Sequence, residues 1–210
     1  MGHKYRTEQE EFWSGEFGDE YVERNRSDKL LASNIAFFSN ILSKTKDVNS
    51  VIEFGANIGM NLKAISRLIP GVNCSAVEIN HKAATILKND PDFGNPVEVY
   101  EKSILDFVPT SKCDMSLIKG VLIHINPDEL ESVYRKLYES SNRYICIAEY
   151  YNPSPVSISY RGQDDRLFKR DFAGEFMDMF SDVSLVDYGF AYHRDNNYPQ
   201  DDITWFLLKK

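Results

Sequence analysis

The hydrophobic and polar positions of this chain alternate between short apolar runs and longer amphipathic stretches. Apolar residues recur at helical spacing behind most of the runs, so strands and helices follow one another along the chain. Such an order predicts an α/β fold in which a mostly parallel sheet is covered by helices on its faces. Seven runs have the length and composition of strands: 51–54, 73–79, 97–100, 113–118, 144–149, 184–190 and 204–208.

Before and between these strands the sequence predicts helices over 28–42, 82–88 and 171–180. A further helix is predicted to start with Asn126 as N-cap and Pro127 at its first position. The last two strands are expected to form an antiparallel hairpin around the polar loop 192–202. Residues 150–170 are polar and rich in proline and tyrosine, which predicts a long loop at the carboxyl edge of the sheet.

The pattern divides the chain into a segment of residues 1–28 and a single domain of residues 29–210. The segment carries Phe12, Trp13, Phe17 and Tyr21 among polar residues, too many large aromatic side chains for a disordered tail. It is expected to form a helical lid over a ligand site. The alternative is a capping segment that only covers the sheet.

Composition narrows the class of protein. With 210 residues, 42% of them hydrophobic and 27% charged, the chain has material for one packed domain. Its net charge of −8 argues against a nucleic-acid partner, and no apolar run has the length that membrane insertion requires. The scattered Cys74, Cys113 and Cys146 predict buried thiols in a reducing, cytoplasmic setting, and no metal site.

The stretch 51–62 carries the candidate chemistry. A strand ends at Glu53, and Gly55 and Gly59 then allow a tight turn into a helix. Asn57 stands where a dinucleotide-binding turn has its second glycine, and a phosphate-binding P-loop sequence is absent. The Glu53 carboxylate suits a cation and would repel a pyrophosphate. Glu78 ends the second strand, about 20 positions after the glycines, where an acid is placed to bind ribose hydroxyls.

The pattern Glu53-x-Gly55-x-x-x-Gly59 resembles the first motif of class I S-adenosylmethionine-dependent methyltransferases. The resemblance implies a Rossmann-like sheet of seven strands, mostly parallel with the last strand antiparallel, S-adenosylmethionine as cofactor and S-adenosylhomocysteine as product. It places Glu53 near the cofactor's ammonium group, and Ser103 where this family often has an adenine-contacting acid. The implied cofactor-binding residues are Trp13, Tyr21, Arg24, Glu53, Gly55, Ala56, Asn57, Gly59, Asn61, Glu78, Ile79, Ser103, Ile104, Lys119 and Gly120.

Segments 12–25, 55–62, 120–125 and 193–206 look like the pseudaminic acid biosynthesis-associated methylases. This finer resemblance implies O-methylation of a surface-glycan sugar of the nonulosonic acid type, or of its nucleotide-activated precursor. The long loops offer cations for a sugar carboxylate or phosphate and aromatic rings for sugar faces. For each arginine the alternative is a surface ion pair. The predicted substrate-binding residues are Tyr150, Tyr151, Arg161, Arg166, Arg170, Tyr192 and Arg194.

A sugar hydroxyl has a high pKa and benefits from a general base. His124, after the fourth strand, is the first candidate, with Glu149 to orient it and His193 as a second candidate. The alternative for His124 is a histidine that packs or caps a helix. Three other functions share parts of the pattern. A dehydrogenase is disfavoured by the missing glycine, whereas a methyltransferase for another small metabolite and a non-catalytic cofactor-binding partner of a glycan-biosynthesis complex stay open.

Overall fold

The structure is a computed structural model that describes residues 5–24, 26–160 and 163–210, without the side chains of residues 159–166. Its centre is a seven-stranded sheet with the order β3-β2-β1-β4-β5-β9-β8, and β6 and β7 form a separate hairpin. The strands are β1 Ser50–Phe54, β2 Asn73–Glu78, β3 Glu98–Glu101, β4 Cys113–Lys119, β5 Ser141–Glu149, β6 Val156–Tyr160, β7 Gln163–Lys169, β8 Ser184–Ala191 and β9 Ile203–Lys209.

Strands β1 to β5 pair in parallel, and β9 runs antiparallel to both of its neighbours, β5 and β8. The predicted fold class, a Rossmann-like sheet with an antiparallel last strand, is therefore confirmed. Because parallel strands end at one edge, the residues that follow β1, β2, β3 and β4 are brought together although they lie far apart in sequence.

Helices cover both faces of this sheet. The α-helices of the described residues are α1 Glu8–Ser14, α2 Glu16–Arg24, α3 Asp28–Leu42, α4 Met60–Leu68, α5 His81–Lys88, α6 Leu130–Glu139 and α7 Phe172–Met179. One core joins α3 and α4 to the sheet through side chains such as Phe38 and Leu62, and the other joins α6 and α7 through Leu137 and Phe176. All four of these side chains are fully buried, so the hydrophobic effect fixes the helices on the sheet.

Two predictions of local structure need correction. Strand β3 begins one residue later than predicted, at Glu98. The predicted loop 150–170 contains the β6–β7 hairpin, in which Val156 pairs with Lys169 and Ile158 with Leu167. Leu167 is buried in the α6–α7 core and β7 packs against the short helical turn Leu122–His124, so tertiary contact orders a stretch that its polar composition assigns to a loop.

Residues 1–28, the predicted lid, have helices α1 and α2 in their described part. Helix α1 begins with a capping box in which Thr7 and Glu10 satisfy each other's backbone amides. The Phe12 and Phe17 rings stack at 4.2 Å between their centroids, which joins the two helices. Within the described part of the chain, no helix combines the length and apolar character needed to cross a bilayer. All three cysteines are free and buried, as predicted.

Candidate functional site

A cavity of about 240 Å³ opens at the carboxyl edge of the sheet, beneath the lid. It is lined where four strands end, by Gly55 after β1, Glu78 on β2, Ser103 after β3 and Lys119 on β4. Helix α1 contributes another part of the lining through Trp13, and α3 and the β8–β9 loop contribute further residues. The cavity therefore lies where open α/β sheets bind ligands.

The loop after β1 requires its two glycines. Gly55 has φ +75° and Gly59 has φ +76°, in the left-handed region that favours glycine. A Cβ on Gly55 would lie 2.5 Å from Val121, and a Cβ on Gly59 would meet Leu87. Between them Asn57 also has a positive φ, of 50°. The missing middle glycine is thus replaced by an asparagine, one of the residues that adopt this conformation most readily.

Glu78 connects this loop to the end of β2. Its carboxylate accepts hydrogen bonds from the Asn57 amide at 2.6 Å and from the Asn80 amide at 2.7 Å. The side chain is only 7% exposed, and burial raises its pKa, although these amides favour the charged form. The carboxylate lines the cavity at the predicted ribose position and also holds the glycine loop in place.

Glu53 is fully buried and does not itself line the cavity. Asn61 does, and its Nδ2 donates to Glu53 Oε1 at 2.6 Å. Burial raises the pKa of Glu53 to about 8, against the opposing effects of the Asn61 hydrogen bond and the Lys119 charge. Neither Glu53 Oε2 nor Asn61 Oδ1 has a hydrogen-bond partner among the described residues. Two buried acceptors therefore lie together behind the glycine loop.

Lys119 ends β4 inside the cavity. Burial lowers the pKa of its amine, and the negative charges of Glu53, Asp201 and Glu149 oppose that effect. Its Nζ lies 5.6 Å from the centre of the Phe37 ring. A cation held in this setting is suited to bind an anionic group of a ligand.

Two aromatic residues of the lid, Trp13 and Tyr21, line the cavity. The Trp13 ring lies 4.8 Å from the His124 ring, so lid and sheet meet across the site. Arg24 is exposed and instead lies over Phe17 and Tyr21, at 5.5 and 5.8 Å from the ring centres. The structure thus brings two of the three predicted lid residues to the cavity.

His124 lines the cavity and is 9% exposed, at the end of the short helical turn Leu122–His124. The Glu149 carboxylate supports the backbone of this turn, because Glu149 Oε1 accepts hydrogen bonds from the Val121 and Leu122 amides at 2.9 Å each. Burial raises the pKa of Glu149 to about 7, although those amides favour the charged form. Glu149 therefore positions the turn that carries His124.

The second histidine candidate lies elsewhere. His193 is exposed, and its Nδ1 lies 2.8 Å from Asp202 Oδ1 and from Oδ2. It is not among the residues that line the cavity. This pairing orders the start of the β8–β9 loop on the protein surface.

Among the described residues, the predicted substrate residues are not brought to the cavity either. Arg170 pairs with Glu175 at 3.2 Å, Tyr150 packs against both cores, and Tyr151, Tyr192 and Arg194 are exposed. For Arg170 the structure shows an ion pair, as the alternative stated, but this pair is partly buried and not on the surface. Arg161 and the side chain of Arg166 lie outside the described residues.

Of the predicted cofactor-binding residues, Arg24, Glu53 and Gly59 do not line the cavity. The others do: Trp13, Tyr21, Gly55, Ala56, Asn57, Asn61, Glu78, Ile79, Ser103, Ile104, Lys119 and Gly120.

Several lining residues escaped the sequence analysis: Glu10, Asn34, Asn80, Gln200 and Asp201. Asn34 and Gln200 are buried and joined by a hydrogen bond of 3.0 Å from Gln200 Nε2 to Asn34 Oδ1. They come from α3 and the β8–β9 loop, so no local pattern brings them together. Glu10 did carry a local signal, the capping-box spacing Thr7-x-x-Glu10, but that signal predicts a helix start and no ligand.

Comparison with protein-family models gives no match, and comparison with curated proteins gives none either. Among solved structures, the chain is similar to magnesium protoporphyrin IX methyltransferase from Synechocystis PCC 6803 with bound SAM, with a TM-score of 0.69, 10% identity and coverage of 100% of both chains. It is similar to a SAM-dependent methyltransferase of Leishmania major, with a TM-score of 0.70, 16% identity and coverage of 97% of this chain and 87% of that chain.

A third similar structure is the 1,6-didemethyltoxoflavin-N1-methyltransferase of Burkholderia thailandensis with S-adenosylhomocysteine, with a TM-score of 0.68 and 14% identity, covering 96% of this chain and 86% of that chain. Likeness at these identities establishes the fold: the chain has the class I methyltransferase fold. The finer resemblance to the pseudaminic acid biosynthesis-associated methylases stays a prediction.

Proposed function

We propose that this protein is an S-adenosylmethionine-dependent methyltransferase that acts on a small polar acceptor. The observation that carries the proposal is the set of residues at one cavity. Glu78 lines this cavity at the end of β2, and Asn61 and the buried Glu53 lie behind the glycine loop. Its support is the class I methyltransferase fold, whose solved examples include proteins crystallised with SAM or with SAH.

The residues of the cavity fit the chemical groups of this cofactor. Asn61 Oδ1 is a buried acceptor of the cavity lining without a partner among the described residues, and an ammonium group supplies donors. Glu53 lies directly behind Asn61, so its charge acts on such an ammonium group. Lys119 is placed to pair with a carboxylate, and Glu78 to accept from ribose hydroxyls. A buried acceptor that gains a donor is stabilised, so ligand binding would relieve the cost of the unpaired Asn61 oxygen.

S-adenosylmethionine, when bound, supplies an activated methyl group on a positively charged sulfur. The chain's own contribution is to position the acceptor and to move a proton. His124 is the candidate general base, placed to take the proton of an acceptor hydroxyl at the cavity wall. Glu149 holds the turn of His124, and the Trp13 ring packs against the histidine ring.

For the acceptor we propose a surface-glycan sugar of the nonulosonic acid type, free or nucleotide-activated. The resemblance of segments 12–25 and 193–206 supports this choice. The described polar groups Asn34, Gln200 and Asp201 suit a hydroxyl-rich molecule. Tyr192 and Arg194 lie in the same loop as Gln200, and we propose that they contact a part of the acceptor that extends out of the cavity.

Calorimetric titration with S-adenosylhomocysteine, alone and with a panel of free and nucleotide-activated nonulosonic acids, tests this function. We expect a dissociation constant on the order of micromolar, and one member of the panel should lower it.

Glu78→Gln is expected to weaken cofactor binding by about 10-fold or more, because hydrogen bonds to a charged group are lost. Glu98→Gln, at an exposed glutamate of β3, is the matched control. Undetectable binding by the unaltered protein would contradict the proposal.

Proton release gives a second test. Glu53, with a pKa raised to about 8 by burial, is largely protonated at pH 7 without ligand. An ammonium group bound at Asn61, which lies between Glu53 and the cavity, stabilises the carboxylate through its charge. Binding is therefore expected to release up to about one proton, and affinity to rise from pH 6 towards pH 8. Titration at pH 7 in two buffers of different ionisation enthalpy measures the release. Glu53→Gln should abolish it, and equal heats in both buffers for the unaltered protein would contradict the assignment.

A further inference from the structure

We infer that Glu10, a residue of the N-terminal lid, binds the exocyclic amino group of the adenine base and so gives the site its base specificity. This inference rests on the proposed function, since it assumes that an adenosyl ligand occupies the cavity. It adds a residue from outside the sheet, in the segment where Trp13, Tyr21 and Arg24 were the predicted cofactor-binding residues.

Glu10 is placed like a binding residue. It is 8% exposed, although it lies on the short surface helix α1, and it lines the cavity together with Ser103, Ile104 and Leu105. The Ser103 hydroxyl donates to Glu10 Oε1, which joins the lid to the end of β3. A glutamate is rarely buried to this extent without partners, and here one of its partners comes from the sheet.

The hydrogen bonds of the helix cap do not occupy all acceptor sites of the Glu10 carboxylate. Glu10 Oε2 accepts the Arg6 amide at 2.6 Å and the Thr7 amide at 3.2 Å, which completes the capping box. Oε1 receives the Ser103 hydroxyl, and each carboxylate oxygen has two acceptor sites. One site on Oε1 is therefore available for a donor from the cavity.

The order of the strands indicates where the base lies. With a ribose at Glu78 on β2, the ligand extends towards β1 and β4 on one side and towards β3 on the other. The β4 side presents Lys119, which suits the charged amino-acid portion. The β3 side presents Ile79, Ile104 and Leu105, apolar surfaces that suit a flat base.

The carboxylate then decides which base fits. Adenine presents two donors on its exocyclic nitrogen, whereas a base with a carbonyl at that position presents an acceptor. Two other acids near this corner, Glu101 and Asp106, are each about half exposed and paired, Glu101 with His81 and Asp106 with Arg6, at 2.7 Å in both cases. Glu10 is thus the buried acid at the end of β3, where the sequence analysis found only Ser103.

The test compares S-adenosylhomocysteine with S-inosylhomocysteine, in which a carbonyl replaces the amino group. Calorimetry on the full chain is expected to show at least about 10-fold tighter binding of the adenosyl compound by the unaltered protein. Glu10→Gln is expected to reduce this ratio to about 3-fold or less. Glutamine also completes a capping box, so α1 is preserved in this variant. Glu11→Gln, at the exposed neighbour on the same helix, is the control and should keep the ratio.

Each outcome has a distinct meaning. If the unaltered protein binds neither compound, the proposed function fails and this inference fails with it. If it binds both but Glu10→Gln keeps the original ratio, or if the two bind equally from the start, only the inference is overturned. A reduced ratio in Glu10→Gln, with the control unchanged, supports Glu10 as the base-binding residue.

Discussion

Replacing His124 by alanine is expected to slow methyl transfer to the acceptor by a factor of about 10² to 10⁴ while cofactor affinity stays within about 3-fold. The reason is that a sugar hydroxyl must lose its proton as the new bond forms, and His124 is the histidine that lines the cavity among the described residues. Initial rates with the acceptor selected from the nonulosonic acid panel measure the first quantity, and calorimetry with S-adenosylhomocysteine measures the second.

A more conservative variant distinguishes a role of His124 as general base from a role in packing. His124→Phe keeps an aromatic ring next to Trp13 and removes the proton acceptor, so it should be as slow as the alanine variant. His81→Ala, at an exposed histidine of α5, is the control. A normal rate in His124→Phe would show that His124 only packs. A large loss of rate in His193→Ala alone would move the base assignment to the surface loop.

Removing the carboxyl group of Glu149 is expected to give the second large effect. Glu149→Ala leaves the Val121 and Leu122 amides without their buried acceptor, at a cost of about 2–5 kcal/mol in the free energy of unfolding. It should also lower kcat, because those amides fix the turn that carries His124. Urea unfolding gives the stability and initial rates give kcat.

The matched control is Glu149→Gln, whose amide oxygen accepts the same two hydrogen bonds. We expect it to lose less than about 1.5 kcal/mol and to keep most of the rate. If the glutamine variant were as slow as the alanine variant at equal stability, Glu149 would act through its charge or its proton and not by positioning the backbone.

Local patterns predicted the part of the site built from strand ends. Gly55 and Gly59 occupy positions with positive φ, and Glu78 ends its strand at the spacing of the ribose acid, so sequence and structure agree there. The same reasoning placed Glu53 at the site, although Asn61 separates it from the cavity lining. The spacing of the glycines does not predict the direction in which a side chain at the start of α4, such as that of Asn61, points.

Other parts of the cavity were harder to predict because they are assembled across long distances in the sequence. The Gln200 and Asn34 side chains meet 166 residues apart, and Glu10 and Ser103 meet 93 residues apart. Arginines and tyrosines in polar loops were the local signal for a sugar site. The structure places Arg170 in an ion pair, Tyr150 against the two cores, and Tyr151, Tyr192 and Arg194 on the surface.

The contact of Trp13 with His124 has a thermodynamic consequence. Since the lid forms part of the cavity lining, a ligand in the cavity and the docking of α1 and α2 stabilise each other to the same extent. The resistance of residues 5–24 to a protease should therefore rise with cofactor concentration along the same curve as binding. The first helices of the chain would then report occupancy of a site whose strands, β1 to β4, all follow them in the sequence.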